Sequence, residues 1–142
     1  MTALACPVAI IGAGPYALAA AAHLRAAKVD VCVFGKPMEF WRQMPAGMLL
    51  RSTWEGSHIA DPLGELTLDR YQQTRGIQLP RPIRLEDFID YGRWFQRQAV
   101  PHLDARQGAT RSRLRKVSNH VPGWRSGLGA ARSHCHRNRL LR

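Results

Sequence analysis

Two glycines one residue apart, Gly12 and Gly14, interrupt the apolar stretch AIIGAGPYALAA that occupies residues 9–20. Each glycine inside a helix costs about 1 kcal/mol, and a proline there costs about 3 kcal/mol. The stretch therefore divides into two elements joined by a bend. Val8 to Ile11 is a continuous apolar run, β-branched at three of four positions, which fits a buried parallel strand. Pro15 suits the first turn of a helix, where its missing N–H is not needed. ALAAAAHLRAA then supplies strong helix formers to about Ala27, and its many alanines leave a slim helix that can lie close to a sheet. VDVCVFG, from Val29, reads as a second strand closed by Gly35. Together the three pieces predict a βαβ unit of about 30 residues.

Gly12, Gly14 and Ala17 match the pattern GxGxxG/A at that strand-to-helix junction. The first glycine permits the tight turn, the second lets a pyrophosphate approach the backbone, and the third small residue brings helix and strand together. The N-terminus of the helix then offers free N–H groups and the positive end of its dipole to an anion. The pattern implies a dinucleotide, FAD or NAD(P). An Asp or Glu that grips a ribose hydroxyl is expected at the end of the second strand, but Gly35 and Lys36 stand there. Glu39 follows only in the next element. A lysine at that place suits a 2′-phosphate, so the glycines alone do not choose between the dinucleotides.

Past the second strand, Pro37 is placed to start a short helix through about Met44, followed by a Pro-Ala-Gly turn. Thr67 is an expected N-cap for LDRYQQTR, with Gly76 as its stop. A longer helix is predicted from about Leu85 to Ala99, where Phe88, Tyr91, Phe95 and Ala99 describe one apolar face. Glu86 and Asp87 fall in its first turn, where the helix dipole favours them. Pro101 ends it, and LDAR is placed to begin a third strand. His23, His58 and His102 are isolated, and Asp61 before Pro62 reads as a turn former. No nucleophile–base pair follows from spacing, so no catalytic residue is singled out.

Charge separates the chain into two parts. Residues 1–105 carry 11 Lys and Arg against 10 Asp and Glu, whereas residues 106–142 carry 10 Lys and Arg and no acid. The net charge of +11 therefore belongs to the end of the chain and is no property of its body. That end has no sustained period of two or 3.6, and its apolar residues are isolated, so it cannot offset the entropy of ordering. Trp124 is its lone aromatic, which leaves a base-stacking surface without support and disfavours nucleic acid as a partner. His134, Cys135 and His136 are too close in sequence to converge on one ion, so no metal is expected. The three cysteines share no CxxC spacing, their odd number argues against a disulfide framework, and Cys32 is expected as a small buried hydrophobe. No basic residue precedes the first apolar run and glycines break it, which argues against a signal peptide; a reducing cytoplasm and no membrane are the expectation.

VAIIGAGPYALAAAAHLRAAKVDVCVFGKPMEFW, then MPAGMLLRS and DYGRWFQRQAVPHLD, resemble bacterial FAD/NAD(P)-binding flavoprotein monooxygenases, the group that includes the lysine and ornithine N-hydroxylases. The resemblance covers roughly residues 7–106 and names no substrate beyond a small molecule. It implies that Gly12, Gly14, Pro15 and Ala17 cradle the FAD pyrophosphate and that Lys36 lies where the family meets the adenosine ribose. It places Trp41 and Arg42 in a segment that commonly lines the flavin; Trp41 equally fits a helix anchor in the core. The family's second glycine fingerprint, which binds NADPH, and its ATG segment have no counterpart in this sequence. The expectation is thus an α/β chain. Residues 1–106 form an incomplete Rossmann-like βαβ FAD/NAD(P)-binding domain, and residues 107–142 form a disordered basic tail of the kind a shifted reading frame produces. Its implied role is the FAD-binding part of an NADPH-dependent monooxygenase, inactive alone. The alternative is a non-catalytic protein that binds NADP, or nucleic acid through the tail.

Overall fold

β1 (Val8–Ile11) and β2 (Val31–Phe34) pair in parallel, with Val8 opposite Val31 and Ile11 opposite Phe34. α1 (Pro15–Ala26) connects them. The structure, a computed structural model, describes residues 6–105; the expected tail over 107–142 lies outside the described residues. The βαβ unit stands where the glycine pattern put it. α1 turns Leu18, Ala21 and Ala22 inward, all buried, and packs on both strands. Among the described residues no helix is long and apolar enough to cross a membrane.

The second strand begins two residues later than expected. The N–H of Val29 donates to the Leu24 carbonyl at 2.9 Å, and that of Lys28 to the Arg25 carbonyl at 2.9 Å. These bonds close the end of α1, with Lys28 at φ 58, a conformation glycine usually supplies. Helix termination thus consumes Val29, which periodicity alone assigned to the strand. Cys32 is half-buried, not the fully buried hydrophobe expected of it. The third strand expected at LDAR is reduced to one parallel bridge between Phe34 and Asp104. There the Asp104 N–H donates to Val33 at 2.9 Å and the Gly35 N–H to Asp104 at 2.8 Å. β2 therefore lies between β1 and this segment.

α3 (Leu68–Arg75) begins and ends as the sequence predicts. The Thr67 hydroxyl accepts from the Arg70 N–H at 3.2 Å, and Gly76 stops the helix at φ 63. α4 (Leu85–Ala99) has the predicted bounds but a wider buried surface. Phe88, Tyr91 and Phe95 are buried as expected, and Leu85, Ile89, Gly92 and Trp94 join them. The single-face expectation was too narrow because α4 is packed from several sides, by α1, by α3 and by the short helix α2 (Glu39–Arg42). Each large apolar side chain removed from water contributes roughly 1.5–3 kcal/mol, so α4 is the central post of the core.

Tyr91 ties the loop before α3 to that post. Its hydroxyl donates to the Leu66 carbonyl at 2.7 Å and accepts from the Ile59 N–H at 3.0 Å. Burial pushes its phenol well above the ordinary range, so it stays a donor at any working pH. The loop itself is folded around Asp61, whose carboxylate accepts from the N–H groups of Leu63, Glu65 and Leu66, the turn role expected of it. Tyr91→Phe would strand a buried donor and a carbonyl. The expected cost is about 1–3 kcal/mol, seen as a lowered urea midpoint with an unchanged slope.

Candidate functional site

The bend after β1 is held by contacts only glycine allows. Gly12 adopts φ 101, and its N–H donates to the Phe34 carbonyl at 2.8 Å. Facing it, Gly35 adopts φ 128, and a Cβ on Gly35 would stand 3.3 Å from the Gly12 Cα. The two strand ends come this close because Gly35 carries no side chain. The missing acid therefore has a physical cause: this backbone excludes a side chain at the place where a ribose-gripping carboxylate was expected.

Gly14 caps α1 from an extended conformation, φ −80 and ψ 179, and Pro15 is the first helical residue. No side chain caps the helix and no acid lies in its first turn. The first-turn N–H groups have no partner within the helix and point out of its end, which is the arrangement that holds anions. Gly12 and Gly14 both face open space, with no atom within 4 Å of where a Cβ would stand. Ala17 lies half-buried one turn in, while the neighbouring Ala13 is buried beneath the bend.

Met38, which sequence reasoning passed over, locks the other side. The helix expected from Pro37 to Met44 contracts to α2 because Met38 adopts φ 60. Its N–H donates to the Ala13 carbonyl at 3.0 Å, and its side chain is wholly buried. A Cβ on Gly92 of α4 would fall 2.5 Å from the Met38 sulfur, so that glycine opens the slot the methionine fills. Only the pairing of a left-handed non-glycine residue with a distant helical glycine would have signalled this, and neither feature has a local sequence signature.

The remaining predicted residues follow Met38 or flank it. Lys36 is exposed beside Gly35. Trp41 packs edge-on against Phe88, with ring centres 4.9 Å apart, the position of a core anchor. Arg42 is half exposed and lies 3.5 Å from Glu39, one of whose carboxylate oxygens is shielded from water without a hydrogen-bond donor. The MPAGMLL segment is laced to the start of α4: Leu49 bridges Arg84 antiparallel, and the N–H of Leu85 donates to Met48 at 2.8 Å. The Gly47 N–H donates to Glu86 at 2.8 Å, which holds that carboxyl below the ordinary glutamate range. His58 lies away from the bend, 3.8 Å from Asp69, whose two oxygens accept from the Trp54 indole at 3.1 Å each. Arg81 covers the Trp54 ring at 4.2 Å, so this cluster clasps the loop to α3.

No protein-family model and no curated protein matches the chain. Among solved structures it is similar to the bacillithiol disulfide reductase Bdr (YpdA) from Staphylococcus aureus, with a TM-score of 0.55 and 20% sequence identity. The match covers 69% of this chain and 27% of the reductase. What the two share is a fold. The chain spans about a quarter of the reductase's length, and the shared architecture is consistent with a partial Rossmann-like unit.

Two outcomes follow. Gly35→Ala would force a side chain into the contact with Gly12 at an unfavourable φ, with an expected loss of about 1–3 kcal/mol in denaturant unfolding. Glu86 has a depressed folded pKa, so its bond to Gly47 contributes stability above the ordinary glutamate value and loses it as pH falls through the lower one. An NMR titration of the Gly47 amide should show a midpoint below that of free glutamate, abolished by Glu86→Gln.

Proposed function

We propose that this chain is the FAD-binding part of a flavoprotein oxidoreductase, of the NADPH-dependent monooxygenase kind, whose substrate is a small molecule. One observation carries the reading. Gly14 has a backbone conformation that any residue adopts, and a Cβ there would meet no atom within 4 Å. Neither conformation nor space within the chain demands glycine at this N-cap, whereas a diphosphate pressed against the helix end does. The bare N-terminus of α1 and the open space before Gly12 fit the same group. The fold shared with a reductase supports an oxidoreductase, and the residues quoted for the monooxygenase resemblance support the narrower class.

In this reading the first-turn N–H groups of α1 bind the diphosphate, with Gly12, Gly14 and Pro15 shaping the approach and Ala17 keeping the helix close. Lys36 and Glu39 are assigned to the adenosine ribose in place of the excluded acid at position 35, the Glu39 oxygen that pairs with Arg42 accepting no hydrogen bond within the protein. When bound, FAD supplies the redox and oxygen chemistry, so the chain needs no nucleophile–base pair of its own. Trp41 and Arg42 bound the neighbouring surface, with the indole packed against Phe88. NADPH remains the reductant of the intact kind, and no residue here is assigned to it.

Purified chain reconstituted with FAD should retain visible flavin absorbance through gel filtration. Gly14→Leu should abolish that uptake while the chain stays folded, with about 1 kcal/mol lost from the poorer N-cap. Flavin uptake unchanged in Gly14→Leu, or absent in the parent chain, overturns the proposal. Preference for NADPH over FAD, reversed by Lys36→Glu, would establish the NADP-binding alternative that the exposed lysine favours.

A further inference from the structure

At the end of the sheet away from the glycine bend, two cysteines meet. Cys6 precedes β1 and Cys32 is the second residue of β2, and the two line the same cavity. The Cys6 thiol donates to the Val8 carbonyl at 3.2 Å, and neither sulfur is in a disulfide. Both line an open cavity of about 510 Å³ together with Arg25, Lys28 and Asp30. Two cations against one carboxylate give that cavity a positive lining, and Lys28 is fixed there by the left-handed turn that ends α1.

We propose that Cys6 and Cys32 form a dithiol that exchanges with small anionic disulfides in this cavity. Neither nearness nor burial alone makes a cysteine reactive, but here a second thiol is in place to complete the exchange. Cys32 is pushed up to about 11 by burial, by Cys6 beside it and by the Asp30 and Asp104 carboxylates, so it is a protonated thiol at neutral pH and acts second. The order of events follows. Cys6 releases its proton to water, and its sulfur attacks one sulfur of the disulfide RSSR. The S–S bond breaks, one RS⁻ leaves, and a mixed disulfide stands on Cys6. Cys32 then gives up its proton and attacks the Cys6 sulfur, expelling the second RS⁻. The two thiolates take up the two protons, and two electrons have passed from the dithiol to the small disulfide. The product is a Cys6–Cys32 bond that ties the start of β1 to β2, independently of what occupies the glycine bend.

The test uses the full chain carrying Cys135→Ser, so that only this pair reports. After incubation with oxidised glutathione and acid trapping, peptide mapping should find the Cys6–Cys32 link without any substitution in the pair. Cys32→Ser should stop at glutathione on Cys6, and Cys6→Ser should react about tenfold more slowly at Cys32. Cystamine, a cationic disulfide, should react more slowly than oxidised glutathione at low salt. Glutathione on both cysteines of the parent chain with no link between them overturns the dithiol. Equal rates in the two single variants overturn the order of attack, and equal rates for the two disulfides overturn the anionic preference.

Discussion

Everything near the bend depends on two strand ends approaching until the backbone at Gly12 leaves little room for a side chain at Gly35. Gly12 and Gly35 face each other, and the bond from the Gly12 N–H to Phe34 closes the gap between them. Gly35 simultaneously donates to Asp104, so the same residue joins the incipient third strand. Ala13 is then pinned from its carbonyl by Met38, whose side chain is gripped in the slot opened by Gly92. A bend near the start of the chain is therefore positioned by α4, the core post formed much later in the sequence. Local glycine chemistry supplies the conformational freedom, and tertiary packing selects one conformation from it.

This arrangement also explains what the sequence could and could not disclose. Elements whose limits are set by local chemistry were legible: Thr67 and Gly76 bracket α3, and α4 runs between the predicted ends. The strand and helix around the glycine pattern were equally plain, because period, proline placement and turn residues agree there. Where a distant contact decides, reading failed. Met38 leaves the helical conformation under the pull of Ala13 and Gly92, and no neighbour in sequence announces it. Val29 was lost from β2 to a helix stop built on Lys28 in a conformation that asks for glycine. The breadth of burial on α4 escaped because a periodic pattern reports one face, whereas three helices surround this one. Of the candidate site residues, the glycines and Pro15 lie at one bend, while Trp41 packs against Phe88 of the core.

The balance of charge fits the division between site and scaffold. The described body is nearly neutral, and its ion pairs each keep at least one partner largely in solvent, such as Arg84 with Asp87 and Arg93 with Asp90. Exposed pairs of this kind contribute little, about 0–1 kcal/mol each. Stability thus resides in the apolar packing around Tyr91 and Phe95, and at the glycine bend the anion-attracting features are backbone dipoles of α1. A neutral body with a dipolar cradle discriminates by shape and hydrogen bonding more than by long-range attraction.

β2 is flanked on both sides, by β1 and by the bridge at Asp104, but β1 has a hydrogen-bonded neighbour on one side only among the described residues. Its outer row of amides and carbonyls is a template on which another strand can be laid. Because β1 runs directly into Gly12, a parallel newcomer would finish alongside the anion cradle and wall it in. Sheet extension and enclosure of the ligand are then a single geometric event in this architecture.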